Sequence, residues 1–112
     1  MASGGRFGSE VARLREAVLD GPGETPAALR QAMAARSGEL AMGRAETAVP
    51  DELAPYLDKV ALHAYKVVDR DVENLRDAGY SENGLFELTV AAAVGSALER
   101  LEAGLQAIQG TR

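Results

Sequence analysis

Phe86-Glu-Leu-Thr-Val-Ala-Ala-Ala-Val-Gly-Ser-Ala-Leu98 is the stretch that decides the fold class. Alanine is the strongest helix former and a poor strand former. Apolar and polar residues here do not alternate as they would along a half-buried strand. The stretch therefore reads as helix, and the helix extends both ways. Upstream, Ser81 is an N-cap residue, although the capping-box position three residues on is Gly84 rather than Glu. Downstream, Leu98, Leu101, Leu105 and Ile108 recur at 3-4-3 spacing and carry the helix from about Glu82 to Gln109, ahead of Gly110.

Four further segments precede it. Ser9 can cap a helix from Glu10 to about Leu19, with Val11, Leu14 and Val18 on one face and Asp20-Gly21-Pro22-Gly23 as its stop. Thr25 as N-cap and Pro26 at the first helical position open a second helix to about Arg36, which Ser37-Gly38 is expected to end. Residues 39–49 read as a loop with at most a short helical turn. Pro50-Asp51-Glu52 opens a third helix, with Pro55 in its first turn and Leu53, Tyr56, Leu57, Val60, Ala64 and Val67 on one stripe. Asp69-Arg70-Asp71 either restarts a helix or lies inside a continuous one, and Gly79 sits at its C-cap. The expectation is an all-α domain of about five helices over residues 9–112, preceded by a disordered Gly/Ser-rich tail at 1–8.

The 112 residues suit one domain. Apolar residues make up 46 %, and with few aromatics the core must come from Leu, Val and Ala. A formal charge of −5, from 17 acidic and 12 basic residues, disfavours nucleic acid and anionic membrane as partners. No stretch is apolar enough for a signal peptide or a membrane span, so a soluble, cytoplasmic protein is the expectation. The absence of cysteine rules out disulfides, thiolate metal sites and a thiol nucleophile. With a single histidine there is little basis for zinc, and no cofactor is expected.

The 86–98 segment is apolar on nearly every face, and such a helix is normally buried all round. A domain of five short helices has few neighbours to surround it, so a homo-oligomer is expected; the alternative is a central helix wrapped by its own chain. Three residues stand out for chemistry. His63, at the edge of the third helix's stripe, is either a proton shuttle or ligand, or a boundary residue with a satisfied hydrogen bond. Asp71 falls on that same stripe if the helix is continuous, and a carboxylate facing a core is costly unless paired; if the helix breaks, Asp69 or Asp71 serves as a cap. Glu87 interrupts the most apolar segment, either in a salt bridge to a neighbouring helix or subunit or facing water near a helix N-terminus.

His63-Ala-Tyr-Lys-Val-Val-Asp-Arg-Asp71, Asn74-Leu-Arg-Asp-Ala-Gly-Tyr-Ser81 and Leu85-Phe-Glu-Leu-Thr-Val-Ala-Ala-Ala-Val-Gly95 together give residues 55–107 a resemblance to the carboxymuconolactone decarboxylase and AhpD-like superfamily. The resemblance implies an all-α fold assembled into trimers or hexamers. The peroxidase branch carries Cys-x-x-Cys-x-x-x-His on the helix that ends at Ala-Gly-x-Ser; here Ala64, Val67 and Asp71 stand in those places. With no dithiol to oxidise, thiol-dependent peroxide reduction is excluded. Two functional readings remain. One is an AhpD-like module without peroxidase chemistry that binds a ligand or partner, with Tyr65, Lys66 and Glu87 as candidate ligand contacts. The other is a cysteine-independent decarboxylase-type enzyme acting on a small acidic lactone, with His63 and Asp71 as the acid–base pair and Lys59, Lys66 or Arg70 as the anchor for the anion. The enzyme needs Asp71 and His63 to converge in a polar pocket; the module needs Ala64 and Val67 packed and Asp71 capping a helix.

Overall fold

A computed structural model, in which residues 8–110 are described, shows five α-helices and no strand among the described residues. They are α1 (Gly8–Arg15), α2 (Ala27–Ala41), α3 (Ala54–Leu62), α4 (Asp69–Asp77) and α5 (Glu82–Gly110). The expected tail at 1–8 falls outside the described residues except for Gly8, which begins α1. None of these helices is long and apolar enough to cross a membrane.

The axis of the fold is α5, 29 residues and about 43 Å long. Its first half packs Leu85, Leu88 and Ala92 against Met33 of α2, Leu53 and Leu57 at the start of α3, and Leu75 of α4. Met33, Leu53, Leu57 and Leu88 are fully buried, each contributing about 1.5–3 kcal/mol relative to exposure. A smaller cluster joins Leu19, Ala34 and Ala91. Beside the smaller cluster α2 and α5 nearly touch through small residues. A Cβ placed on Gly95 would sit 2.1 Å from the Ala34 carbonyl oxygen, and one on Gly38 would sit 3.2 Å from the Gly95 carbonyl oxygen.

That contact corrects one expectation. Ser37-Gly38 does not end α2, which continues to Ala41 with both residues buried. Gly38 is kept in the helix by the close crossing rather than acting as a stop. The stop is Gly43, at φ +80°: Gly43 N–H donates to Leu40 O and Arg44 N–H to Glu39 O. This pair of bonds defines a Schellman end. As expected, α4 ends at Gly79, and in the same way: φ is +109°, Gly79 N–H reaches Arg76 O and Tyr80 N–H reaches Leu75 O.

Other boundaries also move. Pro26, extended at ψ 139°, is the N-cap of α2 and its carbonyl accepts the N–H groups of Leu29 and Arg30, so Thr25 is freed from capping. After Arg15 the chain widens into a π-helical turn, Glu16–Asp20, closed by Gly21 N–H to Glu16 O. The continuous third helix does not form. α3 stops at Leu62, His63 turns out of the helical region at φ −145°, and a 3₁₀ turn, Ala64–Lys66, leads to a restart at Asp69. Ala64 therefore lies outside on the turn and Val67 is only half-buried.

The apolar segment of α5 is covered by its own chain on one side only. Leu85, Leu88, Ala91, Ala92 and Ser96 are buried, whereas Phe86 is 67 % exposed and Ala93 also faces outward.

Candidate functional site

The corner between α3 and α4 carries four of the residues singled out from the sequence. His63 meets Tyr65 edge-on, with ring centroids 6.0 Å apart, and the Lys66 ammonium stands 5.9 Å from the Tyr65 ring centre. Tyr65 is 80 % exposed, and His63 and Lys66 are exposed beside it. Asp71 is engaged elsewhere. It is the third residue of α4; its carboxylate accepts the Val68 N–H at 2.9 Å, and its own N–H returns to Val68 O at 3.0 Å. Lys59, three residues before the end of α3, donates to both carboxylate oxygens at 2.9 and 3.0 Å. The Val68 N–H, and after it Lys59, hold the Asp71 carboxyl below its ordinary range. Of the two candidate proton-transfer groups, Asp71 is thus held by Lys59 and the Val68 N–H, while the His63 ring lies edge-on to Tyr65. A carboxylate that already accepts three hydrogen bonds from two donor groups, one of them an ammonium, is a poor general base.

Glu87 sits one turn into α5, where the helix meets the loop before α2. It accepts the N–H of Glu24 at 2.8 Å, the N–H of Thr25 at 2.9 Å and the Thr25 hydroxyl at 2.6 Å. The Thr25 hydroxyl, then the two N–H groups, with Arg30 nearby, lower its carboxyl to about 2. Neither expectation for Glu87, a salt bridge or a solvent-facing acid, describes this arrangement: the carboxylate closes the backbone just ahead of a different helix. Glu24 in turn takes a hydrogen bond from Ser81, whose hydroxyl also accepts the Gly84 N–H at 2.9 Å as the expected cap of α5.

Sequence reasoning missed Arg30. It is only 4 % exposed and donates to Gly21 O at 2.5 Å and Val18 O at 3.3 Å, tying the π-helical turn to α2. Nothing in its local sequence, Ala-Leu-Arg-Gln, marks it as buried. Sequence reasoning also missed Glu39, which repeats the Glu87 arrangement at the loop after α2. Glu39 accepts the N–H groups of Glu46 and Thr47 at 2.8 and 2.7 Å and the Thr47 hydroxyl at 2.5 Å. The Thr47 hydroxyl is the main cause of its lowered pKa. In both places a Glu-Thr dipeptide offers two N–H groups and a hydroxyl to one carboxylate.

A cleft of about 250 Å³ lies between the π-helical turn, α2 and α5, floored by Ala34, Ala35, Gly38 and Gly95 and rimmed by charged side chains including Asp20 and Glu99. A second, of about 150 Å³, separates α1 from the far half of α5. Neither is lined by His63, Tyr65, Lys66 or Asp71, whereas Glu87, with Arg30 and Phe86, lines a third cleft of about 180 Å³. No group of three or more acidic or histidine side chains able to hold a metal occurs among the described residues. No family model, no curated protein and no solved structure matches the chain.

Proposed function

We propose that the chain is an AhpD-like helical module that assembles with copies of itself and binds a ligand or partner without thiol chemistry. The observation that carries this reading is the commitment of Asp71. Where the resemblance would put the reactive end of the active-site helix, the carboxylate is spent on capping α4 and on pairing with Lys59. A decarboxylase-type enzyme needs that carboxylate and His63 on one substrate, and their separate partners weigh against it. The exposed corner of His63, Tyr65 and Lys66 suits recognition instead: a flat aromatic ring flanked by a cation and an imidazole offers stacking and a charge on a short rigid turn. Assembly is supported by the outward-facing side of α5, with Phe86 and Ala93 uncovered by the chain's own helices.

The test is the mass of the purified chain in solution by light scattering. A whole-number multiple of 11.8 kDa, with three and six copies as the expected orders, fits the reading. A single 11.8 kDa species across the micromolar range overturns the assembly.

A further inference from the structure

We propose that the cleft between the π-helical turn and the first half of α5 binds a small, uncharged aromatic molecule carrying a carbonyl-type acceptor, with Arg30 donating to the acceptor and the Phe86 ring packing on the aromatic body. The cleft holds about 180 Å³. That is space for about six water molecules at about 30 Å³ each. Its walls are Ala17 and Val18 of the π-helical turn, Pro22, and Phe86 and Val90 of α5; its ionic groups are Arg30 and Glu87. An apolar lining with a few fixed polar groups is the usual make-up of a small-molecule site. The turn that forms one wall adds a second, independent pointer, because π-helical turns are rare and recur at functional sites.

Arg30 supplies the donors. It is 4 % exposed, and among the described residues it forms no ion pair with a carboxylate. A guanidinium carries five N–H groups. One donates to Val18 O and one to Gly21 O, while the Nε–H is buried with no acceptor. A buried donor without an acceptor is costly, and a buried charge without a partner more so. A ligand acceptor that takes up the N–H groups left over by Val18 and Gly21 relieves that cost as it binds.

Glu87 sets the charge of the ligand. Its carboxylate lines the same cleft, but the Glu24 N–H, the Thr25 N–H and hydroxyl and the Asn83 side-chain amide already donate to it. It has no acceptor position to spare, yet its negative charge stands near the guanidinium and opposes a second anion. The ligand is therefore neutral. Phe86, 67 % exposed, leaves most of its ring open, which suits an aromatic body rather than a thin aliphatic chain.

The test is an NMR titration of the isotope-labelled full chain with acetophenone, an aromatic ring with one carbonyl. The Val18, Phe86 and Val90 amides and the Arg30 Nε–H should shift saturably. Toluene, which lacks the acceptor, should bind about tenfold more weakly, and benzoate, which adds a negative charge, should also bind more weakly. Phe86→Ala should weaken acetophenone about fivefold, and Ala17→Leu, at the exposed rim, should fill the cleft and block binding. Arg30→Met should erase the difference between acetophenone and toluene; if that variant fails to fold, the three probes on wild type and the two rim variants decide. Toluene or benzoate binding as tightly as acetophenone, or shifts centred outside this cleft, overturns the proposal. The cleft lies within one chain, so the assembly reading is tested separately by mass. Absence of saturable binding overturns the site alone, and a monomer that binds acetophenone here overturns the assembly alone.

Discussion

The carboxylate of Glu87 holds the hydroxyl of Thr25 at 2.6 Å and its N–H at 2.9 Å, across 62 residues of chain. This contact fixes where the loop before α2 meets the first turn of α5. Gly23 leaves room for it, since a Cβ there would come within 2.9 Å of the Glu87 carboxylate. With the Glu24 N–H and the Asn83 side-chain amide, four donors converge on a group that must be ionised to accept them all, so the junction depends on pH.

Glu87→Gln should lower the midpoint of thermal unfolding at pH 7, because the amide offers one acceptor oxygen and turns a donor toward N–H groups. The carboxyl is lowered from 4.5 to about 2 in the folded chain. A depressed carboxyl contributes stability above its unfolded pKa, and that contribution is lost as pH falls through the folded value. The gap between wild type and variant should therefore shrink from about pH 4.5 downward and close near pH 2. Melting curves of both proteins at pH 7, 4 and 2 check this; an undiminished gap at pH 2 would show that ionisation is irrelevant to the junction.

Two glycines of α5 should respond to alanine with opposite signs. At Gly95 the new methyl would strike the Ala34 backbone, so Gly95→Ala should destabilise by about 1–3 kcal/mol as the helices are forced apart. At Gly104 nothing lies within 4 Å. There alanine's greater helix propensity should stabilise by about 1 kcal/mol. Urea unfolding of the two variants beside wild type measures both signs.

Tyr80 donates to Glu52 at 2.7 Å, and burial, then Glu52, push its phenol from 10 up to about 12. A raised pKa means that the folded chain holds the proton more tightly. The contribution to stability is present below pH 10 and lost as pH rises through 12. Absorbance titration of the tyrosines should show a late step near pH 12 that is missing in Tyr80→Phe. A titration identical in the two proteins would place Tyr80 in contact with water instead.

Asp71→Asn should loosen the start of α4 without unfolding the core, since Leu75 remains packed among Leu57, Leu85 and Leu88. The asparagine loses the ion pair with Lys59 and holds the Val68 N–H less strongly. Hydrogen exchange should speed up at the Val68 amide and through the first turn of α4, while amides of α2 and α5 keep their protection. Uniform acceleration across all helices would mean that Asp71 supports the whole fold rather than one end.

Where local chemistry acts within a single turn, the sequence was a sufficient guide. Ser81 caps α5 by reaching the Gly84 N–H, and Gly79 ends α4 because only glycine takes φ +109° at little cost. The alanine-rich run of α5 is helical for the same local reason, and the lack of any cysteine removes thiol chemistry whatever the fold. Ser37-Gly38 carries a local stop signal too, but the crossing with Gly95 overrides it: close packing of two backbones rewards the absence of a side chain more than the helix loses by flexibility. The break at His63 could not be read from an apolar stripe that continues through Ala64 and Val67. It follows from where α4 must lie to set Leu75 into the core and Asp71 beside Lys59. The partners of Glu87, Glu39 and Arg30 were likewise decided by tertiary structure alone. Each is an ordinary charged residue at a helical position until distant backbone donors or carbonyls are brought to it. Composition and spacing thus determined the helices and the chemistry that is absent, whereas the fold determined which charges are buried, capped or paired, because those depend on contacts between segments whose separation along the chain no local pattern encodes.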